Sequence, residues 1–132
     1  DKPKYLYLGK PLPDTIWGFP DARERQGDIV IVEDILSAIK LRMAGVNSVS
    51  ILGSDISDGQ VQKIARAVTS NKSSVVIWLD NDKAGWKGAK DAIKQFALQG
   101  ISAWNITSEA DPKTYNKEQI QAYIKGAKLC PI

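Results

Sequence analysis

The chain contains no histidine and only one cysteine, Cys130. Without histidine, it cannot supply His-based acid–base catalysis, a Ser-His-Asp triad or a His-ligated zinc site. A single cysteine cannot form a disulfide within the chain, which is typical of proteins from a reducing compartment. Any chemistry of this chain must therefore rest on carboxylates, lysines, arginines and hydroxyl groups.

Long apolar segments are also absent. No run of apolar residues approaches the length of a transmembrane helix, and no signal-peptide pattern is visible. We therefore expect no membrane partner. The chain begins at Asp1 rather than at a methionine, which predicts that it is an excised piece of a longer protein.

The composition is that of an ordinary globular domain. With 132 residues, 43% of them hydrophobic and 25% charged, the chain is long enough to form one domain with a core. Lysine and arginine number 18 and aspartate and glutamate number 15, which gives a net charge of +3. This mild excess permits a polyanionic partner but does not demand one.

Strand-like and helix-like segments alternate from Asp28 onward. Predicted strands cover residues 29–32, 48–52, 75–79 and 101–106, and predicted helices cover residues 34–44, 58–69, 84–99 and 117–125. In the first of these helices, Ile35, Ala38, Ile39 and Met43 recur at helical spacing. The alternation predicts an α/β fold with a four-stranded, mostly parallel sheet flanked by helices. Residues 1–27 are rich in proline, glycine and charge, and they predict a short N-terminal extension.

The third predicted strand, over residues 75–79, ends abruptly in two carboxylates, Asp80 and Asp82. Two like charges at this spacing repel each other, which raises the pKa of the carboxyl groups unless a positive charge lies nearby. A divalent cation would remove this cost. The pair therefore predicts a metal site at the carboxyl end of a buried strand.

Further carboxylates follow two other predicted strands. Glu33 ends the first strand, and Asp111 lies after the fourth. Ligands of open parallel sheets bind beyond the carboxyl ends of the strands, so Glu33 and the aspartate pair converge if strands one and three are neighbours. A set of oxygen ligands selects a hard ion, Mg²⁺ or Mn²⁺, and such a site suits phosphate chemistry.

Each acidic feature also has a purely structural interpretation. Glu33 could be an acid placed at a helix N-terminus, where the helix dipole favours it. The segment from Asp80 to Asp82 could form an Asx-type turn, and Asp111 could simply begin a turn. An EF-hand loop is disfavoured because Ala84 stands where a fifth-position ligand is needed. A receiver or phosphatase fold is disfavoured because the chain offers no clear set of partners for a phosphoryl acceptor.

Four short motifs follow one another along the chain. They are Ile31-Val32-Glu33 before a helix, Ser50-Ile51-Leu52-Gly53, Leu79-Asp80-Asn81-Asp82-Lys83-Ala84-Gly85 with the pattern D-x-D-x-A-G, and Asp111-Pro112-Lys113-Thr114-Tyr115. Together they resemble the Toprim domain, in the version found in bacterial and phage DNA primases, whose last motif is D-P-D-x-x. In one departure, Asp34 stands where the family usually has glycine.

The N-terminal extension also resembles part of a primase. Pro3-Lys4-Tyr5-Leu6 and Trp17-Gly18-Phe19 are similar to the basic subdomain that precedes Toprim in primases. The resemblance therefore implies two parts, a remnant of the polymerase basic subdomain over residues 1–27 and a Toprim domain over residues 28–132.

The resemblance implies a role for each residue that matches a motif. Glu33 would be a metal ligand or a general acid–base group. Asp80 and Asp82 would be catalytic Mg²⁺ ligands, and Asp111 would be an auxiliary acid in the metal site. Lys4 would match a residue that contacts nucleic acid or nucleotide.

Charge alone adds further candidates. Lys83 and Lys87 follow the acidic pair and could steer a nucleotide triphosphate towards it. Lys10, Arg23 and Arg25 could contact phosphates, although an ordinary charged surface is the simpler interpretation for each of these three.

The function implied by the resemblance is RNA primer synthesis on single-stranded DNA by metal-dependent nucleotidyl transfer. The implied cofactor is Mg²⁺ or Mn²⁺. The implied partners are a single-stranded DNA template, ribonucleotide triphosphates and a replicative helicase, in the cytoplasm of a bacterial or phage-infected cell. Trp17 and Trp86 are candidates for stacking on bases, although core packing is the more common fate of tryptophan.

Two alternatives to a primase stay open at this point. One is another Toprim enzyme, such as a nuclease or a topoisomerase subunit. The other is a non-catalytic Toprim-like module that binds nucleic acid or a replication partner.

Overall fold

The structure is a computed structural model, and it describes residues 14–129. The strands are β1 (Ile29–Val32), β2 (Ser48–Ser50), β3 (Val75–Ile77) and β4 (Ala103–Asn105). The helices are α1 (Phe19–Ala22), α2 (Ile35–Met43), α3 (Asp58–Ser70), α4 (Lys83–Leu98) and α5 (Lys117–Leu129), with a 3₁₀ turn at Pro112–Thr114. The candidate residues Lys4 and Lys10 lie outside the described residues.

The four strands form one parallel sheet in the order β2-β1-β3-β4. The predicted α/β fold with a four-stranded parallel sheet is therefore confirmed. β1 and β3 are neighbours, and Ile31 pairs with Ile77 across them. Because the two strands run in the same direction, the residues that follow them lie at the same edge of the sheet.

The sheet is buried on both faces. In β1, Ile29 and Ile31 belong to the core on one face, whereas Val30 and Val32 belong to the core on the other. All four side chains are at most 2% exposed. This two-sided burial explains why the strands are apolar throughout and show no alternation of apolar and polar residues.

Three of the strands end earlier than the sequence predicts, β2 and β3 by two residues each and β4 by one, and β4 also begins two residues later. Leu52 has φ +62° and Gly53 has φ +148°, so the chain leaves the extended conformation after β2 and turns. After β3, the Trp78 N–H still donates to the Ile31 carbonyl, and Trp78 and Leu79 stay buried. The predicted strands are thus placed correctly, but tertiary geometry decides where they end.

α2 does not use the face that its spacing suggests. Of the four residues at helical spacing, Ile35 is 37%, Ile39 is 38% and Met43 is 76% exposed, and only Ala38 is buried. The buried residues of the helix are Ser37, Ala38 and Leu41. Small residues allow a close approach to the sheet, and the Ser48 hydroxyl donates to the Ala38 carbonyl at 2.6 Å.

Residues 14–27 pack on the same core as the sheet. Ile16 and Ala22 are buried in it, and Trp17 forms an antiparallel bridge with Ser50 beside β2. The boundary between residues 27 and 28 stays a prediction. Within residues 14–129, no helix combines the length and the apolar character that a membrane span requires.

Candidate metal centre

Glu33 links the ends of β1 and β3. Its backbone is held in place because its carbonyl accepts from the Ser50 hydroxyl at 2.8 Å and from the Gly53 N–H at 3.0 Å. Its carboxylate Oε2 accepts from the Asp80 N–H at 2.8 Å. The strand order therefore brings Glu33 into direct contact with the aspartate segment, as the sequence predicts for neighbouring first and third strands.

The turn after β3 fixes the second half of the site. The Asp82 N–H donates to the Asp80 carbonyl at 3.0 Å. Asp82 is the N-cap of α4, and its Oδ1 accepts from the Gly85 N–H at 2.7 Å. One oxygen of Asp82 therefore caps the helix, and the exposed carboxylate retains its second oxygen for a ligand.

Gly85 allows the first turn of α4 to lie directly against this segment. A Cβ at position 85 would lie 1.9 Å from the carbonyl oxygen of Asp80, which is far too short for two atoms that are not bonded to each other. Ordinary contacts between non-bonded heavy atoms are about 3.5–4.0 Å. The close approach explains physically why a glycine follows the acidic pair at this spacing.

The carboxylates repel one another. Burial, followed by the charges of Glu33 and Asp111, raises the pKa of Asp80 to about 6. Burial also raises the pKa of Glu33, reinforced by the charge of Asp82 and opposed by the hydrogen bond from the Asp80 N–H. Negative charge that is concentrated and partly desolvated in this way favours binding of a cation.

Asp34 and Asp111 are bridged by a lysine. Asp34 caps α2 by accepting from the Ser37 N–H at 3.2 Å and from the Ser37 hydroxyl at 2.6 Å. The Lys113 ammonium lies 3.7 Å from Asp34 Oδ2 and 3.3 Å from Asp111 Oδ2. These two carboxylates raise the pKa of Lys113, so it stays protonated. Lys113 was not among the residues predicted for the site, although it stands where the D-P-D-x-x motif has its second acid.

A surface cavity of about 560 Å³ is lined by residues that include Glu33, Asp34, Asp80 and Lys113. Within the described part of the chain, no three acidic, histidine or cysteine side chains are gathered as a ready-made metal cage. The donor set still fits a hard cation, since Glu33 and Asp80 converge and carry only oxygen donors. Oδ2 of Asp111 contacts Lys113 at 3.3 Å, so a ligand from Asp111 would come from its other oxygen.

The predicted cationic residues are placed unevenly. Lys83 and Lys87 are exposed on the first turns of α4, beside the acidic segment. Arg23 and Arg25 lie at the opposite edge of the sheet, where their carbonyls accept from the side chain of Asn71 at the end of α3. We therefore do not place the two arginines in the same site as the carboxylates.

A polar and aromatic network holds the loop that carries Asp111. The buried Trp78 indole N–H donates to the Ser108 hydroxyl at 2.9 Å, and this hydroxyl donates to the Ala110 carbonyl at 2.7 Å. The Ala110 N–H donates to the Tyr115 hydroxyl at 3.1 Å. The buried Trp78 after β3 therefore holds this loop in place by hydrogen bonding.

The raised pKa values predict a pH dependence of stability. Between the ordinary Asp value of 3.8 and about 6, folded Asp80 holds a proton that the unfolded chain has lost. The free energy of unfolding should therefore fall as the pH rises from about 4 to about 6 and then level off. Glu33 contributes with the same sign.

Urea unfolding at a series of pH values measures this effect. Asp80→Asn removes the titrating group and should flatten the profile between pH 4 and 6, whereas Glu24→Gln at the exposed end of α1 should leave it unchanged. Parallel profiles for the wild type and Asp80→Asn would contradict the predicted raised pKa.

The fold and the site together define a class: an α/β domain whose parallel sheet gathers carboxylates at its carboxyl edge. Comparison with known proteins specifies the family. The family model described as Toprim-like matches residues 30–117. The chain belongs to this family, and the matched segment contains all four carboxylates of the predicted site.

One curated relative is an uncharacterized protein, MG010, of Mycoplasma genitalium. It is 31% identical over 121 residues, which cover 87% of this chain and 54% of the relative. The chain thus spans about half of that protein.

Solved structures of DNA primases have the same fold. The DnaG catalytic core has a TM-score of 0.70 at 22% identity, with 86% of this chain and 39% of that chain covered. A DNA primase domain from Pseudomonas aeruginosa has a TM-score of 0.70 at 24% identity, with 83% and 37% covered. A DnaG catalytic domain bound to single-stranded DNA has a TM-score of 0.69 at 20% identity, with 90% and 45% covered. The predicted Toprim family is therefore confirmed by the family model, and the primase structures confirm the predicted fold.

Proposed function

We propose that this chain is the metal-binding part of a DNA primase and takes part in nucleotidyl transfer that makes RNA primers on single-stranded DNA. The observation that carries the proposal is the convergence of Glu33 and Asp80. The carboxylate of Glu33 contacts the backbone of Asp80, and repulsion and burial raise the pKa values of both. A bound cation would relieve the repulsion between these partly desolvated carboxylates.

Glu33, Asp80 and Asp82 would hold the ion, and Asp111 would support them. When bound, Mg²⁺ or Mn²⁺ would neutralise phosphate charge and orient the reacting oxygens. The residues of this chain prepare for that role: the hydrogen bond from the Asp80 N–H orients Glu33, and the α4 cap orients Asp82. Lys113 neutralises part of the charge of Asp34 and Asp111, and its ammonium would contact a phosphate of the bound nucleotide.

The partners of the proposed reaction follow from this site and from the structural neighbours. One of the similar primase structures contains bound single-stranded DNA, which supports a single-stranded DNA template for this chain. The exposed Lys83 and Lys87 beside the carboxylates support a role in attracting ribonucleotide triphosphates. A replicative helicase remains part of the proposal because of the resemblance to primases, with cytoplasmic DNA replication as its setting.

Metal binding can be tested directly by NMR. Mn²⁺ is paramagnetic and broadens the signals of nearby nuclei, so the amides of Glu33, Asp80 and Asp82 should broaden first. The amide of Glu24, at the other edge of the sheet, should stay sharp at the same Mn²⁺ concentration. Equal broadening of all exposed acidic residues would mean non-specific binding and would contradict the proposed metal centre.

Catalysis is tested with the complete protein. We expect it to incorporate labelled ribonucleotides into short RNA on a single-stranded DNA template in the presence of Mg²⁺ or Mn²⁺, and a chelator should abolish this incorporation. A protein that shows the specific Mn²⁺ broadening but makes no primer would contradict the catalytic part of the proposal.

A second candidate function is a non-catalytic Toprim-like module that binds nucleic acid. The contact of Lys113 with two of the carboxylates favours it, because an internal cation already neutralises part of the site. The two candidates differ in the metal requirement. A non-catalytic module would bind single-stranded DNA equally well with and without a chelator and would show no specific Mn²⁺ broadening.

A further inference from the structure

A second cavity lies on the other side of Asp80, between α4 and β4, with a volume of about 330 Å³. Its lining includes Leu79, Asp80, Trp86, Lys90, Asn105 and Thr107. We propose that this cavity is a nucleobase subsite in which a base stacks on the indole of Trp86. The inference deepens the proposed function and rests on it only for the link to the metal centre.

Trp86 is the feature that carries the inference. It is 54% exposed although it is the largest type of side chain, and it lies on the first turn of α4. Its indole N–H donates to the side-chain oxygen of Asn81 at 2.7 Å. The ring is therefore held in one orientation by the residue between the two proposed metal ligands, instead of being free to move over the surface.

The other walls of the cavity match the chemistry of a base. The buried Leu79 provides an apolar floor. Lys90 lies one helical turn after Trp86 on α4 and supplies a positive charge. Asn105 and Thr107 supply polar groups, and Asn105 Oδ1 is buried without a hydrogen-bond partner. A base needs these three elements: a flat aromatic surface, an apolar floor, and polar groups at its edge.

Size and position indicate which molecule brings the base. The volume lies at the lower end of the range of about 300–1,000 Å³ for small-molecule pockets, which suits a single base with its sugar. Asp80 lines both this cavity and the carboxylate cavity. A base against Trp86 therefore belongs to a nucleotide whose phosphates lie towards the proposed metal centre.

The test uses two ligands that differ only in the base, adenosine 5′-monophosphate and ribose 5-phosphate. Binding is followed by NMR through the backbone amides of Asp80 and Lys90, which line the cavity and are present in every variant. In the wild type it is also followed through the indole N–H signal of Trp86, which is assigned by its loss in Trp86→Phe. We expect the monophosphate with the base to shift this signal and to bind more tightly than ribose 5-phosphate. Trp86→Ala should weaken its binding roughly 5- to 150-fold, the range measured for loss of base stacking. The affinity for ribose 5-phosphate should not change.

Three variants make the result specific. Trp86→Phe retains an aromatic ring and should lose less affinity than Trp86→Ala. Asn81→Ala removes the partner that orients the ring and should give an intermediate loss. Leu98→Ala removes another exposed apolar side chain, 86% exposed at the far end of α4, and should have no effect. Equal affinity for the two ligands, or unchanged affinity in Trp86→Ala, would overturn the inference.

Two further ligands distinguish a nucleotide substrate from a template strand and distinguish the base subsite from the metal centre. Adenosine, which has no phosphate, should still shift the Trp86 signal in the absence of metal. A shift with adenosine but no specific Mn²⁺ broadening would contradict the metal centre and support the base subsite. Specific Mn²⁺ broadening without a shift by adenosine would support the metal centre and contradict the base subsite. A short single-stranded oligodeoxythymidylate tests the template: a shift at lower concentration than with the mononucleotide would overturn the assignment to a nucleotide substrate.

Discussion

Gly85→Ala should lower the free energy of unfolding by about 3 kcal/mol, the upper end of the usual cost of overpacking. The added Cβ would lie 1.9 Å from the Asp80 carbonyl oxygen, and both groups belong to the backbone. No side-chain rotation can relieve this contact, so either α4 or the aspartate segment must move. Because that segment also carries the proposed ligands, Mn²⁺ broadening at Asp80 should weaken together with stability.

Gly126→Ala is the matched control for this substitution. Gly126 lies within α5, and a Cβ there would meet no atom within 4 Å. Alanine is favoured over glycine inside a helix by about 1 kcal/mol, so this variant should be slightly more stable than the wild type. Urea unfolding measures both variants. If both variants were equally stable, the close approach of α4 to Asp80 would be wrong.

Replacing Asp82 should lower primer synthesis by the complete protein about 100-fold or more, because a bound metal supplies several kcal/mol of transition-state stabilisation. Two substitutions separate the two roles of this side chain. Asp82→Asn removes the charge but keeps an oxygen that can accept from the Gly85 N–H, and asparagine caps helices about as well as aspartate. Asp82→Ala removes the charge and the cap together.

Both Asp82 variants should therefore lose activity and specific Mn²⁺ broadening, but only Asp82→Ala should also lose stability, by about 1 kcal/mol. The measurements are the incorporation of ribonucleotides into primers and the free energy of unfolding in urea. Glu24→Gln removes the same charge at the opposite edge of the sheet and should change neither quantity. Normal primer synthesis by Asp82→Asn would show that Asp82 is only a helix cap.

The position of the carboxylate site at the end of the third strand could be predicted from local sequence. A buried strand that ends in Asp80 and Asp82, followed by a glycine and a helix, predicts strained carboxylates at a sheet edge without knowledge of the fold. The convergence with Glu33 needed one assumption, that the first and third strands are neighbours, and the strand order confirms this assumption. The assigned catalytic and metal-binding roles stay predictions.

Other features could not be predicted because they depend on contacts between distant parts of the chain. Lys113 reaches Asp34 from a loop that β3 positions through Trp78 and Ser108. The spacing of apolar residues in α2 did not identify the buried face, because Ser37, Ala38 and Leu41 are covered instead of the larger Ile35, Ile39 and Met43. Periodicity records which residues are apolar, but the shape of the neighbouring surface decides which of them are covered.

The sequence by itself determined the fold class, the family and the segments that carry the carboxylates, because apolar runs, capping residues and the glycine after the acidic pair act locally. Only the tertiary structure decided how the carboxylates meet: parallel pairing places Glu33 on the backbone of Asp80, and the Asp111 loop brings Lys113 between two acids. The physical reason is that charge interactions depend on distances through space. These distances are set by strand order and packing, which are properties of the whole chain.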